Sequence, residues 1–157
     1  MGYAGGAKLS PTYRDLGDHT EAIEIDYDPA RTSYERLLAV FWEDHQPVRP
    51  AYGRQYRSAI FFSGAEQRSL AEASKRTVEA SAGQRVFVDL EPLVRFWRAE
   101  DYHQKYALRR HRELLDEIAG YDERAFTDST AAARLNAYAY GYGTPADLAA
   151  KLPSLGL

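Results

Sequence analysis

No cysteine occurs among the 157 residues. That excludes a disulfide framework, a thiolate metal site and a thiol nucleophile within this chain. No stretch approaches the roughly 18 apolar residues of a membrane span. No apolar run follows a basic N-terminus, as in a signal peptide, so a cytoplasmic protein is expected. Charge of one sign is scarce as well. Lys and Arg number 20 against 23 Asp and Glu, a net charge of −3, so no broad positive field draws nucleic acid or anionic membrane. The one basic cluster, Arg109-Arg110-His111-Arg112, is followed by Glu113, Asp116 and Glu117, the pattern of a solvated helix face with charge pairs three or four residues apart. The four histidines show no repeated ligand spacing, so no metal is expected. No histidine and acid are arranged around Ser10, Ser33 or Ser58 for a hydrolytic triad.

What is present is an ordinary globular composition, 45% hydrophobic and 27% charged, at the commonest size of one domain. Twelve tyrosines suit half-buried rim positions or a polar pocket that needs hydroxyls. Residues 2–20, rich in Gly, Pro, Ser and Asp, read as a loop and a candidate site wall. Residues 22–27 alternate Ile23, Ile25 and Tyr27 with Glu24 and Asp26, the period of a half-buried strand ended by Asp28-Pro29. Ser33 caps a helix whose apolar stripe runs from Tyr34 through Leu38 and Trp42 to His45, with Pro47 as its stop. Strands follow at 56–62, 85–90 and 96–98, a helix at 65–81 closed by Gly83, and a third helix at 101–118. In the tail, Ser129 caps a short helix, 138–143 form a turn, and Thr144 starts a helix with Pro145 in its first turn. This order predicts an α+β, two-layer sandwich with a mostly antiparallel sheet. A single domain over 1–157 is expected, with 121–157 a helical extension packed on the core, and a monomer.

The chemistry-bearing residues stand in a particular order. Gly2-Tyr3-Ala4-Gly5-Gly6 leads, then Ser10-Pro11-Thr12-Tyr13, then His19-Thr20-Glu21 running into Tyr27-Asp28-Pro29. Gln55-Tyr56-Arg57-Ser58 and Glu100-Asp101-Tyr102-His103-Gln104-Lys105-Tyr106 complete the series. Taken singly, each is unremarkable: a glutamate ahead of a strand is usually a solvated end residue. Together, over residues 2–108, they resemble the A-type methionine sulfoxide reductases, which reduce the S-epimer of methionine sulfoxide, free or in proteins.

The resemblance implies a ferredoxin-like core with long irregular loops. It also implies roles: Glu21 as the catalytic acid, Tyr13 and Tyr56 as substrate-binding hydroxyls, and His19, Tyr3 and His103 as site-lining residues. Reducing a sulfoxide needs a soft nucleophile at sulfur and an acid for the departing oxygen. A carboxyl shielded from water suits the second task. The family's Gly-Cys-Phe-Trp-Gly nucleophile segment is expected shortly before Gly2, lost to a start placed too late or a selenocysteine codon read as a stop. The distal half also lacks recycling cysteines, so the resemblance implies no bound cofactor but an external thiol reductant of thioredoxin, glutaredoxin or glutathione type. The expected partners are oxidised proteins or free methionine sulfoxide together with that reductant, and the chain by itself is expected to be inactive. A noncatalytic relative that binds methionine sulfoxide or another small polar ligand is the alternative, and a truncated, unstable product a third. The loop at 49–54, Arg-Pro-Ala-Tyr-Gly-Arg, and the phrases 16–21 and 128–136 resemble a divergent branch.

Overall fold

The computed structural model describes residues 1–45, 48–116, 118–144, 146–147 and 150. The chain folds as two compact units, Met1–Ala99 and Glu100–Leu157, so the division falls ahead of the position 121 expected for the tail. The first unit contains strand β1 (Gly2–Ala4), β2 (Thr20–Ala22), helix α1 (Tyr34–Asp44), β3 (Ser58–Phe62), α2 (Gly64–Ala82), β4 (Val88–Pro92) and β5 (Phe96–Arg98). The second contains α3 (Arg112–Asp116), α4 (Glu123–Asp128) and α5 (Thr130–Ala139).

An antiparallel three-stranded sheet runs β2-β1-β5, and β3 pairs with β4 in parallel. The antiparallel expectation therefore holds for one sheet and not for the other. A parallel pair needs a crossover long enough to return to the same end, and α2 supplies it. Residues 2–4 are strand and not loop: Gly2 lies so close beneath Phe96 and Trp97 that a Cβ would come within 2.4 Å of the Trp97 carbonyl oxygen. The glycine that suggests a loop is what lets a central strand be overlaid by its neighbour.

Helix α1 begins as expected, with the Ser33 hydroxyl accepting the Arg36 N–H at 3.4 Å. It ends at His45, whose backbone N–H donates to the Phe41 carbonyl and whose ring stacks on Phe41; the expected stop, Pro47, lies outside the described residues. Leu38 and Trp42 of α1 pack with Ala71 of α2 and with Ile60, Val86 and Val88 to form the core of this unit. The Trp42 indole N–H donates to Ser74 Oγ at 3.0 Å, joining the two helices by a hydrogen bond inside the apolar contact. Gly83 closes α2 at φ +64, the left-handed cap that glycine takes without strain. Val86 and Val88 are both buried, as their alternation implies, but β3 begins to pair only at Val88, which moves the strand to 88–92.

The helix expected over 101–118 is broken. Single 3-10 turns at Asp101–His103 and Leu108–Arg110 precede α3. Between them Lys105 sits at φ +50, which no α-helix accommodates. The Leu108 N–H donates to Asn136 Oδ1. Arg109 pairs with Glu123 and lies over the Phe126 ring at 4.4 Å, replacing the local pairs that a continuous helix would have made. Leu108, Ile118, Phe126, Ala132 and Leu135 form the core of this second unit. Ser129 caps α5 through the Ala132 N–H, as expected. Helix α4, capped by Asp122, is additional, and α5 absorbs Tyr138 and Ala139 from the expected turn. Thr144 and Asp147 exchange hydrogen bonds as a helix start would, while Pro145 lies outside the described residues.

Leu38→Ala is expected to lower the stability of the first unit by about 3 kcal/mol. Val40→Ala, on the exposed side of the same helix, should change it by less than about 0.5 kcal/mol. Urea denaturation of the two variants measures the difference.

Candidate functional site

The connection between β1 and β2 holds itself together with polar contacts. The Asp18 carboxylate accepts the N–H groups of Ala7, at 2.9 Å to each oxygen, and of Lys8 at 3.2 Å. His19 is 1% exposed. Its Nδ1 accepts the Gly6 N–H at 3.2 Å, and its Nε2–H donates to the Lys8 carbonyl at 2.8 Å. One neutral tautomer satisfies both bonds. Gly6 is fitted to this pair, since a Cβ there would come within 2.6 Å of both Asp18 and the His19 ring. Lys8 closes the outer part of the loop on Asp15 at 2.9 Å. Tyr13 stands in the turn bounded by reciprocal Thr12–Asp15 backbone hydrogen bonds and is 43% exposed.

Glu21 lies at the middle of β2, opposite Tyr3 in β1. A 3-10 turn, Arg54–Tyr56, packs beside it. Gln55 Nε2 donates to Glu21 Oε1 at 2.5 Å, which orients the carboxyl. Arg54 reaches the other way, donating from Nε to the Asp18 carbonyl at 2.6 Å and from Nη2 to the Gly5 carbonyl at 2.8 Å. The turn that carries Tyr56 is thus tied both to the strand that carries Glu21 and to the loop that carries Tyr13. Tyr56 is 68% exposed.

Arg57 anchors the assembly from below. Its Nε donates to Thr20 Oγ1 at 2.7 Å, its Nη1 to Asp89 at 2.8 Å and to Glu91, and its Nη2 to the second Glu91 oxygen at 2.7 Å. The guanidinium lies over the Phe61 ring. The paired Glu91 carboxylate raises the Arg57 pKa above its ordinary value, and the donated bonds from Arg57 hold Glu91 below the usual carboxylate range. Asp18 is also lowered, chiefly by the N–H groups of Ala7 and Lys8.

Three of the sequence candidates, Tyr13, Glu21 and Tyr56, therefore stand on segments linked by Arg54 and Gln55. Tyr3 is 1% exposed and packs with Leu16 and Ala99, and His19 is enclosed by its own loop. His103 belongs to the second unit, in the turn Asp101–His103, its ring 4.2 Å from that of Tyr102. Sequence reasoning gives no site role to Asp18, Arg54, Gln55 or Arg57, although Gln55 and Arg57 stand in a motif that carries the resemblance. The available signal was Arg-Gln-Tyr-Arg immediately ahead of a strand, facing a second strand that carries Asp89 and Glu91.

A family model described as peptide methionine sulfoxide reductase matches residues 1–134. The chain belongs to this family. It is 43% identical to peptide methionine sulfoxide reductase A5 of Oryza sativa subsp. japonica over 88% of its length and 57% of that protein's. To the peptide methionine sulfoxide reductase of Drosophila melanogaster it is 37% identical over its whole length and 64% of the relative's. To the peptide methionine sulfoxide reductase of Nitrobacter winogradskyi it is 44% identical over 69% of the chain and 65% of the relative. The chain thus spans about six-tenths of the length of these relatives. The crystal structure of Mxr1 from Saccharomyces cerevisiae in reduced form matches with a TM-score of 0.64 and 24% identity, over 77% of this chain and 71% of that one, which establishes the mixed helix-and-strand fold.

Acid should loosen this site first. Asp18 and Glu91 hold their protons more weakly folded than unfolded. Their stabilisation is therefore complete above the ordinary carboxylate pKa of about 4 and is lost as pH falls through the lowered folded values. Amide exchange of Ala7 and Lys8, taken relative to the intrinsic rate at each pH, should lose its protection in that range. Asp18→Asn should make it fast already at neutral pH.

Proposed function

We propose that this chain supplies the acid and hydroxyl half of methionine-S-sulfoxide reduction, acting on free methionine sulfoxide or on oxidised proteins. The observation that carries the reading is the Gln55–Glu21 hydrogen bond, which holds a carboxyl in mid-strand beside the turn bearing Tyr56. In this reading the phenols of Tyr13 and Tyr56 donate to the sulfoxide oxygen. A thiol or selenol from outside these residues attacks sulfur. Glu21 protonates the oxygen, so that methionine leaves and the nucleophile is left oxidised as its sulfenic or selenenic acid. An external thiol of thioredoxin, glutaredoxin or glutathione type then reduces it, with no bound cofactor. Tyr3 and His19 support the site from behind.

Because no residue here is cysteine, the chain alone is expected to show no dithiothreitol-dependent turnover, while retaining weak binding of methionine sulfoxide. Calorimetry measures that binding, and Tyr56→Phe combined with Glu21→Gln should abolish it. In a form carrying a Gly-Cys-Phe-Trp-Gly segment ahead of Gly2, Glu21→Gln should slow turnover by about a hundredfold; an unchanged rate removes Glu21 from the acid role. The absence of a thiol alongside a retained acid and phenols also favours a second reading, a noncatalytic binder of methionine sulfoxide. Binding that persists while the thiol-bearing form stays inactive selects it.

A further inference from the structure

The sequence has four lysines, of which Lys8, Lys75 and Lys105 lie among the described residues. The first two have settled partners. The Lys8 ammonium pairs with Asp15 at 2.9 Å, and Lys75 Nζ donates to the Val88 carbonyl at 2.7 Å. Lys105 differs. It is half-buried, and its Nζ makes neither a hydrogen bond nor an ion pair among the described residues. The carboxylate whose charge reaches it belongs to Asp128, the last residue of α4, and Asp128 is itself paired with Arg124 at 3.6 Å. Burial disfavours the ammonium more than Asp128 supports it, which lowers the pKa of this amine below its ordinary value.

The backbone of the same residue is strained. Lys105 stands at φ +50, in the left-handed region that a residue with a Cβ avoids. Such a conformation persists where the surroundings impose it. Here Arg109 does so: its backbone N–H donates to the Lys105 carbonyl at 3.1 Å, and its Nε to the Gln104 carbonyl at 2.8 Å. One arginine therefore grips the peptide unit on each side of the strained residue. Glu123 and the Phe126 ring hold that arginine in turn. A backbone kept in a costly conformation and a half-buried amine without a partner coincide at one position.

An amine that spends more of its time neutral is the better nucleophile. The charge of the product selects the electrophile. An aldehyde would leave an iminium, which keeps a cation where burial disfavours one. Carbon dioxide would leave a carbamate, an anion within the field of Asp128. An acyl donor leaves an amide, which carries no charge and keeps an N–H.

We propose that Lys105 is an acylation site, its Nζ taking the acyl group of a small uncharged thioester. The Nζ lone pair attacks the thioester carbonyl carbon, and the N–C bond forms as the C–S bond breaks. The nitrogen gives up a proton to water and the departing thiolate takes one up. Amine and thioester become amide and thiol, with no change of oxidation state. The site stands apart from the sulfoxide chemistry and does not rest on it.

The test mixes the folded chain at neutral pH with the S-acetyl thioester of N-acetylcysteamine and follows acetylation of each lysine by tandem mass spectrometry. Lys105 should react faster than Lys8 and Lys75 by about fivefold or more. The lead should vanish in concentrated guanidinium chloride, where burial and the imposed backbone are gone. Asp128→Asn removes the carboxylate that supports the ammonium, and should raise the Lys105 rate by about twofold or more while leaving Lys8 and Lys75 unchanged. A Lys105 rate no greater than those of Lys8 and Lys75, a lead that persists in the unfolded chain, or no increase in Asp128→Asn would overturn the proposal.

Discussion

The first unit depends on where the Arg57 guanidinium goes. Its planar fork reaches Thr20 in β2 on one side and Asp89 and Glu91 in β4 on the other, joining the three-stranded sheet to the parallel pair. A lysine ammonium gathers its three donors on one nitrogen, whereas the planar fork serves several acceptors in fixed, separated directions. The side chain is only 10% exposed. Its removal would leave a half-buried Glu91 carboxylate without its cation, which costs more than the pair itself contributes. Gly5 belongs to the same arrangement: at φ +76 its Cα passes so close to Arg57 and Phe61 that a Cβ would come within 2.7 Å of both. The cation, the aromatic ring and the glycine occupy one contiguous space, and the loop entering it has little freedom left.

That constraint passes outward to the candidate site. With Gly5 fixed, Arg54 can bind its carbonyl and that of Asp18 together, and Asp18 and His19 in turn hold Ala7, Gly6 and Lys8. The result is a polar loop whose rigidity comes from hydrogen bonds between neighbouring segments and not from an apolar core. Side chains meant to hold a small polar substrate benefit from such support, because misplacement by an ångström weakens both binding and catalysis. The same construction makes the loop sensitive to acid, since a carboxylate is its keystone.

Much of this is legible in the amino-acid sequence. Glu21, Tyr13 and Tyr56 were picked out by motif and by family resemblance, and they lie on segments that the fold ties together through Arg54 and Gln55. Helices α1 and α2 were visible because their signals are local: a capping serine, an apolar stripe at three and four residue spacing, a glycine at the end. Where the signals were not local, the reading slipped. Gly2-Tyr3-Ala4 is loop by composition and strand by neighbourhood. The stretch 101–118 is helix by propensity and is broken by Lys105 at positive φ and by the bond from Leu108 to Asn136. The residues that orient the site were hidden for the same reason: nothing in the spacing of Arg57, Asp89 and Glu91 says that they meet.

By itself the amino-acid sequence determined the family, the α+β class, the caps and stripes of the main helices, and the residue types available for chemistry, since each is written in adjacent or periodic residues. Only the tertiary structure decided which strands pair, that His19 braces a loop, and that an arginine joins two sheets. Those outcomes depend on residues far apart in the chain arriving at one place, where burial and hydrogen-bond satisfaction set the partner that propensity and spacing leave open.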